Sequence, residues 1–238
     1  MKSGMVQAAF SRRALVVLLI SSAQIALAAS GATMAGTVTL PNGRGVRASL
    51  SIHDLSTPRT AGQKPFDRRF ASKSDGTFSL TAVPAGKYRI CVDAPQANVL
   101  DPCLWSATQP TWTVTEGTAI TNIAIKVQVG TQVRVHVNDP QGELPSTKGG
   151  VRGEALSMVV VTNQKRYHNL RLLSASAGSS DHYVIVPFDE TLTLVTESAS
   201  LAVSDKDGKR LSGDSQKTPL RVSAGAVVPP VVLNVSKR

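Results

Sequence analysis

The chain has 238 residues and a formal charge of +10, with 26 Lys and Arg against 16 Asp and Glu. Its length fits one large domain or two small ones. With two cysteines and four scattered histidines, the sequence holds no close set of ligands for a zinc site.

At the N-terminus, Lys2, Arg12 and Arg13 precede an uncharged run from Ala14 to Ala29. Its apolar centre, ALVVLLI, is shorter than the about 20 residues that span a bilayer. The run ends on Ala26-Leu27-Ala28, the small-x-small pattern that signal peptidase accepts, so residues 1–28 are expected to be a signal peptide. A buried N-terminal helix is the alternative. No cysteine follows Ala28, which argues against a lipid anchor there, and no later run is long enough to anchor the mature chain in a membrane. Removing residues 1–28 takes away three basic and no acidic groups, so the charge falls from +10 to +7. Outside the cytoplasm such a charge points to anionic polysaccharide or envelope proteins and not to nucleic acid. The alternative is that it only keeps a β-rich protein soluble.

After residue 29 helical periodicity is hard to find. Short alternating runs such as GTVTL, ASLSI, GTFSL, KYRICV, NIAIKVQV, QVRVHV, HYVIV, TLTLV and PVVLNV recur about every ten residues, between clusters of Gly, Pro, Asn, Asp and Ser. This pattern predicts an all-β protein of sandwich or barrel type. In KYRICV the alternation puts Tyr88, Ile90 and Val92 on the core face, so Cys91 points outward. Its expected partner is Cys103, because an isolated pair in an oxidising compartment favours a disulfide. That bond would pin the loop DAPQANVLDPC over the sheet, and closing about 13 residues is worth roughly 3 kcal/mol.

Three pairs of segments echo one another in the same order. TVTLPNG (37–43) matches RVHVNDPQG (134–142), and VPAGKYRICV from Val83 matches VPFDETLTLV from Val186. The last pair is VTEGTAITNIAIKV (114–127) with VSAGAVVPPVVLNV (222–235). A degenerate tandem duplication with its boundary near Gly130 explains them. Chance recurrence of apolar alternation is the competing explanation.

The first half resembles the carboxypeptidase regulatory-like domains, which look like transthyretin. The resemblance covers about residues 34–130 and rests on Gly36, Val38, Gly43, Val46, Asp75, Gly76, Phe78, Pro84, Gly86, Tyr88 and Ile90. It implies a β-sandwich of about seven strands and an accessory, non-catalytic role. The second half, 131–238, departs from the pattern. Asp189-Glu190 stands where the corner glycine belongs, and no Gly follows Asp181. It is expected to be a second sandwich, either Ig-like or a degenerate copy of the first.

Catalytic constellations are missing from the sequence. There is no His-Glu-x-x-His, and His53, His136, His168 and His182 stand singly. In GSSDH (178–182), neighbouring Ser, Asp and His would point to opposite faces of a strand and so could not meet as a triad. Transthyretin-related hydrolases carry a Tyr-Arg-Gly-Ser tail, and this chain has Asn-Val-Ser-Lys-Arg at that end. Intradiol dioxygenases need two tyrosines and a close histidine pair, whereas Tyr88, Tyr167 and Tyr183 occur here without a His-x-His. SDKDGKR (204–210) opens like a calcium loop but lacks the distal Glu, and a hairpin turn explains it. No cofactor is expected.

Two segments invite a binding role. The loop 56–73 places Arg59, Lys64, Arg68, Arg69 and Lys73 around Phe66 and Phe70, and NQKRYHNLRLL places Lys165, Arg166 and Arg171 around Tyr167. Basic groups beside an aromatic ring suit sugar or anion recognition. A solvated loop whose phenylalanines tuck into the sheet edge is the alternative. Trp112 should face inward, leaving Trp105 as the exposed ring. The function expected is that of an exported, periplasmic or secreted, non-catalytic module with a binding or structural role. A carbohydrate-binding module using 56–73 or Trp105, or an enzyme with an unrecognised site, are the alternatives.

Overall fold

The structure, a computed structural model, describes residues 31–56, 64–106, 108–144, 156–164, 166–211 and 215–238. The expected signal peptide, Arg59 and Lys165 lie outside them. Among the described residues the fold is nearly all β, 56% strand and 4% helix. No helix among the described residues is long and apolar enough to cross a membrane.

The first sandwich uses β1 (Ala32–Thr39), β2 (Ser49–Asp54), β3 (Arg68–Ala71), β4 (Thr77–Val83) and β5 (Gly86–Asp93). A short β6 (Val99–Leu100) and a one-turn helix α1 (Pro102–Trp105) follow, then β7 (Trp112–Val114) and β8 (Ala119–Lys126). The linker strand β9 (Gln128–Val129) leads into the second sandwich. That sandwich comprises β10 (Thr131–Asn138), β11 (Ser157–Thr162), β12 (Tyr167–Asn169), β13 (Arg171–Ser176), β14 (Ser179–Val186), β15 (Leu192–Glu197), β16 (Leu201–Asp205), β17 (Ser215–Leu220) and β18 (Val231–Lys237).

In the first sandwich a three-stranded sheet, β4-β1-β8, faces a four-stranded sheet, β3-β2-β5-β7. In the second, β13-β14-β10-β18-β16 faces β12-β11-β15-β17. The two plans coincide. The opening strand of each unit pairs antiparallel with one neighbour (β1 with β4, β10 with β14) and parallel with the closing strand (β1 with β8, β10 with β18). The second unit adds β13 and β16 at the two edges of its larger sheet.

Alternation decides the faces. Tyr88, Ile90 and Val92 of β5 are buried, while Cys91 turns to the other face and is covered by the following loop. The corner before β5 is held by Tyr88, whose hydroxyl donates to the Pro84 carbonyl at 3.0 Å. Gly86 has a packing reason: a Cβ there would fall 2.8 Å from Ser56 Oγ and 3.1 Å from the Tyr88 hydroxyl. At the equivalent corner of the second unit Asp189 takes φ +59, a left-handed conformation that Asp tolerates better than most residues. Its N–H donates to Val222 O at 2.8 Å.

Each sandwich has its own core. The first packs Phe78 and Tyr88 among aliphatic side chains such as Met34, Leu50, Ile52 and Ile125, with Trp112 half-buried against them. The fully buried second core contains only Val, Leu and Met158.

Candidate functional site at the junction of the sandwiches

The loop between β5 and β7 carries the most specific structure in the molecule. Cys91 and Cys103 are bonded, with sulfurs 2.09 Å apart. Asp101 caps α1: its carboxylate accepts from the Cys103 N–H at 2.9 Å and from the Val92 N–H at 3.2 Å. Burial raises the Asp101 pKa, and the two backbone donors oppose that rise. The loop is thus fixed to β5 twice, by a covalent bond and by a carboxylate.

So fixed, the loop lies against the second sandwich. β6 pairs with the linker strand β9, and the Gly130 N–H donates to Asn98 O at 2.8 Å. A Cβ at Gly130 would fall 2.2 Å from Val186 O, so the backbones meet too closely there for any side chain. Trp105, at the end of α1, packs against the second core and stacks on His168 of β12, with ring centroids 3.7 Å apart and planes 8° from parallel. The Arg166 guanidinium donates to the Ser106 carbonyl at 2.8 Å, and Arg171 pairs with Asp93 at 2.6 Å.

His168 is buried, and neither ring nitrogen has a hydrogen-bond partner. Burial, with the nearby Arg166 charge as a second cause, pushes its pKa down to about 4. Beside it opens a cleft of about 690 Å³ lined by Cys103, Ser106, Gln109, Arg166, Tyr167 and His168. Gln109 bonds the Cys103 carbonyl through its amide NH2 and accepts from Arg89 at 2.9 Å.

The phenylalanines of the loop 56–73 tuck against the first core, the reading set beside the binding role. Phe66 sits edge-on against Tyr88 with centroids 5.9 Å apart, and Phe70 lies 5.8 Å from Phe78. Both rings are half-buried against the first core. Arg68 and Arg69 are exposed on β3 with no ring free beside them, and Arg68 reaches the Thr81 carbonyl at 3.4 Å. The expectation of an exposed Trp105 is corrected, because the second core receives it. The segment 163–173 reaches a cleft through Arg166 and Tyr167. Sequence reading named Arg166 and Tyr167 but missed His168, since nothing local signals a ring that meets Trp105 from 63 positions away.

The histidines that stand singly in the sequence find partners across strands. His136 Nδ1 lies 2.7 Å from Asp181 and its Nε2 lies 2.8 Å from Asn138. Asp181 also accepts from Ser174 at 3.0 Å. Here the carboxylate stands between serine and histidine, so the imidazole cannot act as base toward that hydroxyl. Ser180 does meet His182 at 3.0 Å, but Asp181 faces the opposite side of β14. Asp205 and Gly208 form a hairpin turn, with the Asp205 carboxylate accepting from the N–H groups of Asp207 and Lys209. Cys91, Asp101 and Cys103 cluster as metal ligands would, but both sulfurs are committed to each other.

Geometry and topology define a protein of two tandem β-sandwiches. No protein-family profile and no curated protein matches the sequence. Among solved structures, the Bacillus anthracis TIE protein is 8% identical, with 87% of this chain covering 34% of it at a TM-score of 0.33. A streptococcal ancillary pilin is 11% identical, with 89% of this chain covering 63% of that one at a TM-score of 0.39. This chain therefore spans less than two thirds of either. A DUF3823 family protein from Bacteroides uniformis is 15% identical over 81% of this chain and 99% of its own, at a TM-score of 0.30.

Proposed function

We propose that the chain is an exported, non-catalytic pair of β-sandwiches serving at the cell envelope as a rigid structural or binding module. In this reading residues 1–28 are removed on export. Residues 34–130 form a carboxypeptidase regulatory-like, transthyretin-like domain, and residues 131–238 a degenerate copy of it. The observation that carries the proposal is the disulfide-tied loop, which joins the first sandwich to the core of the second. A disulfide at this place requires an oxidising compartment. A junction with a stacked ring pair, an Arg–carbonyl bond and an ion pair suits a part that transmits position more than one that opens and closes.

The test is fractionation of cells expressing the full chain, with N-terminal sequencing and thiol titration of the native product. The expected result is an envelope or secreted protein starting at Ala29 with no free thiol. Retention in the cytoplasm with two free thiols would contradict export. Turnover of a substrate by the pure mature chain would contradict the non-catalytic reading.

A further inference from the structure

We propose that the junction cleft binds an acidic saccharide, its carboxylate on Arg166 and its ring against Tyr167. The inference deepens the binding role proposed above and rests on it.

The first support is unspent positive charge. The nearby carboxylates are engaged elsewhere: Asp93 holds Arg171, and Asp101 holds two backbone N–H groups. The Arg166 guanidinium has one bond, to the Ser106 carbonyl, and no carboxylate partner among the described residues. Arg89, behind Gln109, is in the same state, with a bond to the Gln109 amide oxygen and a buried Nε that has no partner. A guanidinium presents donors in a planar fork that matches a carboxylate, which favours this anion over a monatomic one.

The second support is the buried His168 ring in the cleft wall, whose nitrogens have no partner in the protein. Both nitrogens are closed off from solvent, so what the ring offers a ligand is its apolar surface in the cleft wall. The third support is Tyr167, an exposed large ring at 67% of its free surface, standing on the edge strand β12 at the cleft mouth. An exposed aromatic face beside an Arg offers stacking to the C–H face of a pyranose and charge to its carboxylate.

The mature protein is titrated with oligogalacturonate, with the matched neutral oligosaccharide and with citrate, and read by the NMR signals of the Trp105 indole and the His168 ring. Oligogalacturonate is expected to shift both signals and the neutral sugar to leave them in place. Arg166→Gln is expected to weaken binding about tenfold, the loss of one charged hydrogen-bond pair. Because Arg166 also touches the loop, Tyr167→Ala serves as a second variant: its side chain is exposed, so it is expected to weaken oligogalacturonate binding several-fold without loss of stability. Arg68→Ala, on β3, should leave binding unchanged. Three results would overturn the inference: equal binding of the neutral sugar, no shift at Trp105 or His168 with any probe, or binding that survives both variants. Citrate binding as tightly as oligogalacturonate would reduce the cleft to a simple oxyanion cradle and overturn the saccharide assignment. Failure of any of these arms in a protein found exported, oxidised and inert would leave the envelope role standing.

Discussion

The two sandwiches share one strand plan but not one way of being held together. The first encloses Phe78 and Tyr88, ties a loop to β5 with Cys91–Cys103, and locks its corner with the Tyr88 hydroxyl. The second has no cysteine, builds its buried hydrophobic cluster from Val, Leu and Met158, and takes Trp105 from its neighbour. Once one unit of a tandem pair is fixed beside the other, a side chain projecting across the junction can supply a ring that the second unit lacks. The dependence runs one way: the second sandwich needs the loop of the first, and the first core contains nothing from the second.

Replacing both Cys91 and Cys103 by Ala should break the contrast most. About 3 kcal/mol of stability is expected to go, the chain-entropy value for a loop of this size, and chemical denaturation should show both units affected because the loop serves both. Trp105→Ala separates them. Truncating a half-buried ring should cost about 2 kcal/mol, below the range for a fully buried one. That cost should fall on the second unit alone, which a tryptophan-free probe such as hydrogen exchange can read strand by strand. Tyr88→Phe does the reverse, since it removes one hydrogen bond worth about 1 kcal/mol from the first unit only. Equal effects of either single variant on both units would erase the asymmetry.

A smaller effect is expected from pH. His168 is held neutral, with its pKa near 4 against an ordinary 6.5. A group that charges more easily unfolded than folded stabilises above its unfolded pKa, so this contribution is present above about pH 6.5 and is lost as pH falls toward 4. His136 works in the opposite sense. Hydrogen bonding to Asp181 raises its pKa, so its contribution is present below the ordinary value and is lost as pH rises through the raised one. His168→Phe keeps an aromatic ring for Trp105 and removes the titration. It should flatten the loss of second-unit stability between pH 6.5 and 4, and a transition that stays equally acid-sensitive would take His168 out of the account.

Much of the fold was legible in the sequence because β alternation and turn residues are local. The faces in KYRICV and the all-β class followed from spacing, and the Cys91–Cys103 bond from an isolated pair behind an export signal. The three echoed segments fall on matching strands: β1 with β10, β5 with β15, and β8 with β18. The site was less legible. Phe66 and Phe70 look in sequence like a platform among arginines, but the neighbouring Tyr88 and Phe78 rings that absorb them lie on other strands. Trp105 looks exposed because its own sandwich does not bury it. His136 looks solitary because its partner Asp181 is 45 residues away and meets it only through the β10–β14 register. Contacts between sheets and between sandwiches carry no local signal, and the junction is made of them.

The central claim is that a loop tied by a disulfide in the first sandwich is a structural part of the second. Native-state hydrogen exchange of the mature chain, oxidised and then reduced, tests it most directly. Reduction of Cys91–Cys103 is expected to lower amide protection in β11, β12 and β15, which contain neither cysteine. Protection in those strands that stays unchanged while the loop 94–106 loses its own would contradict the claim.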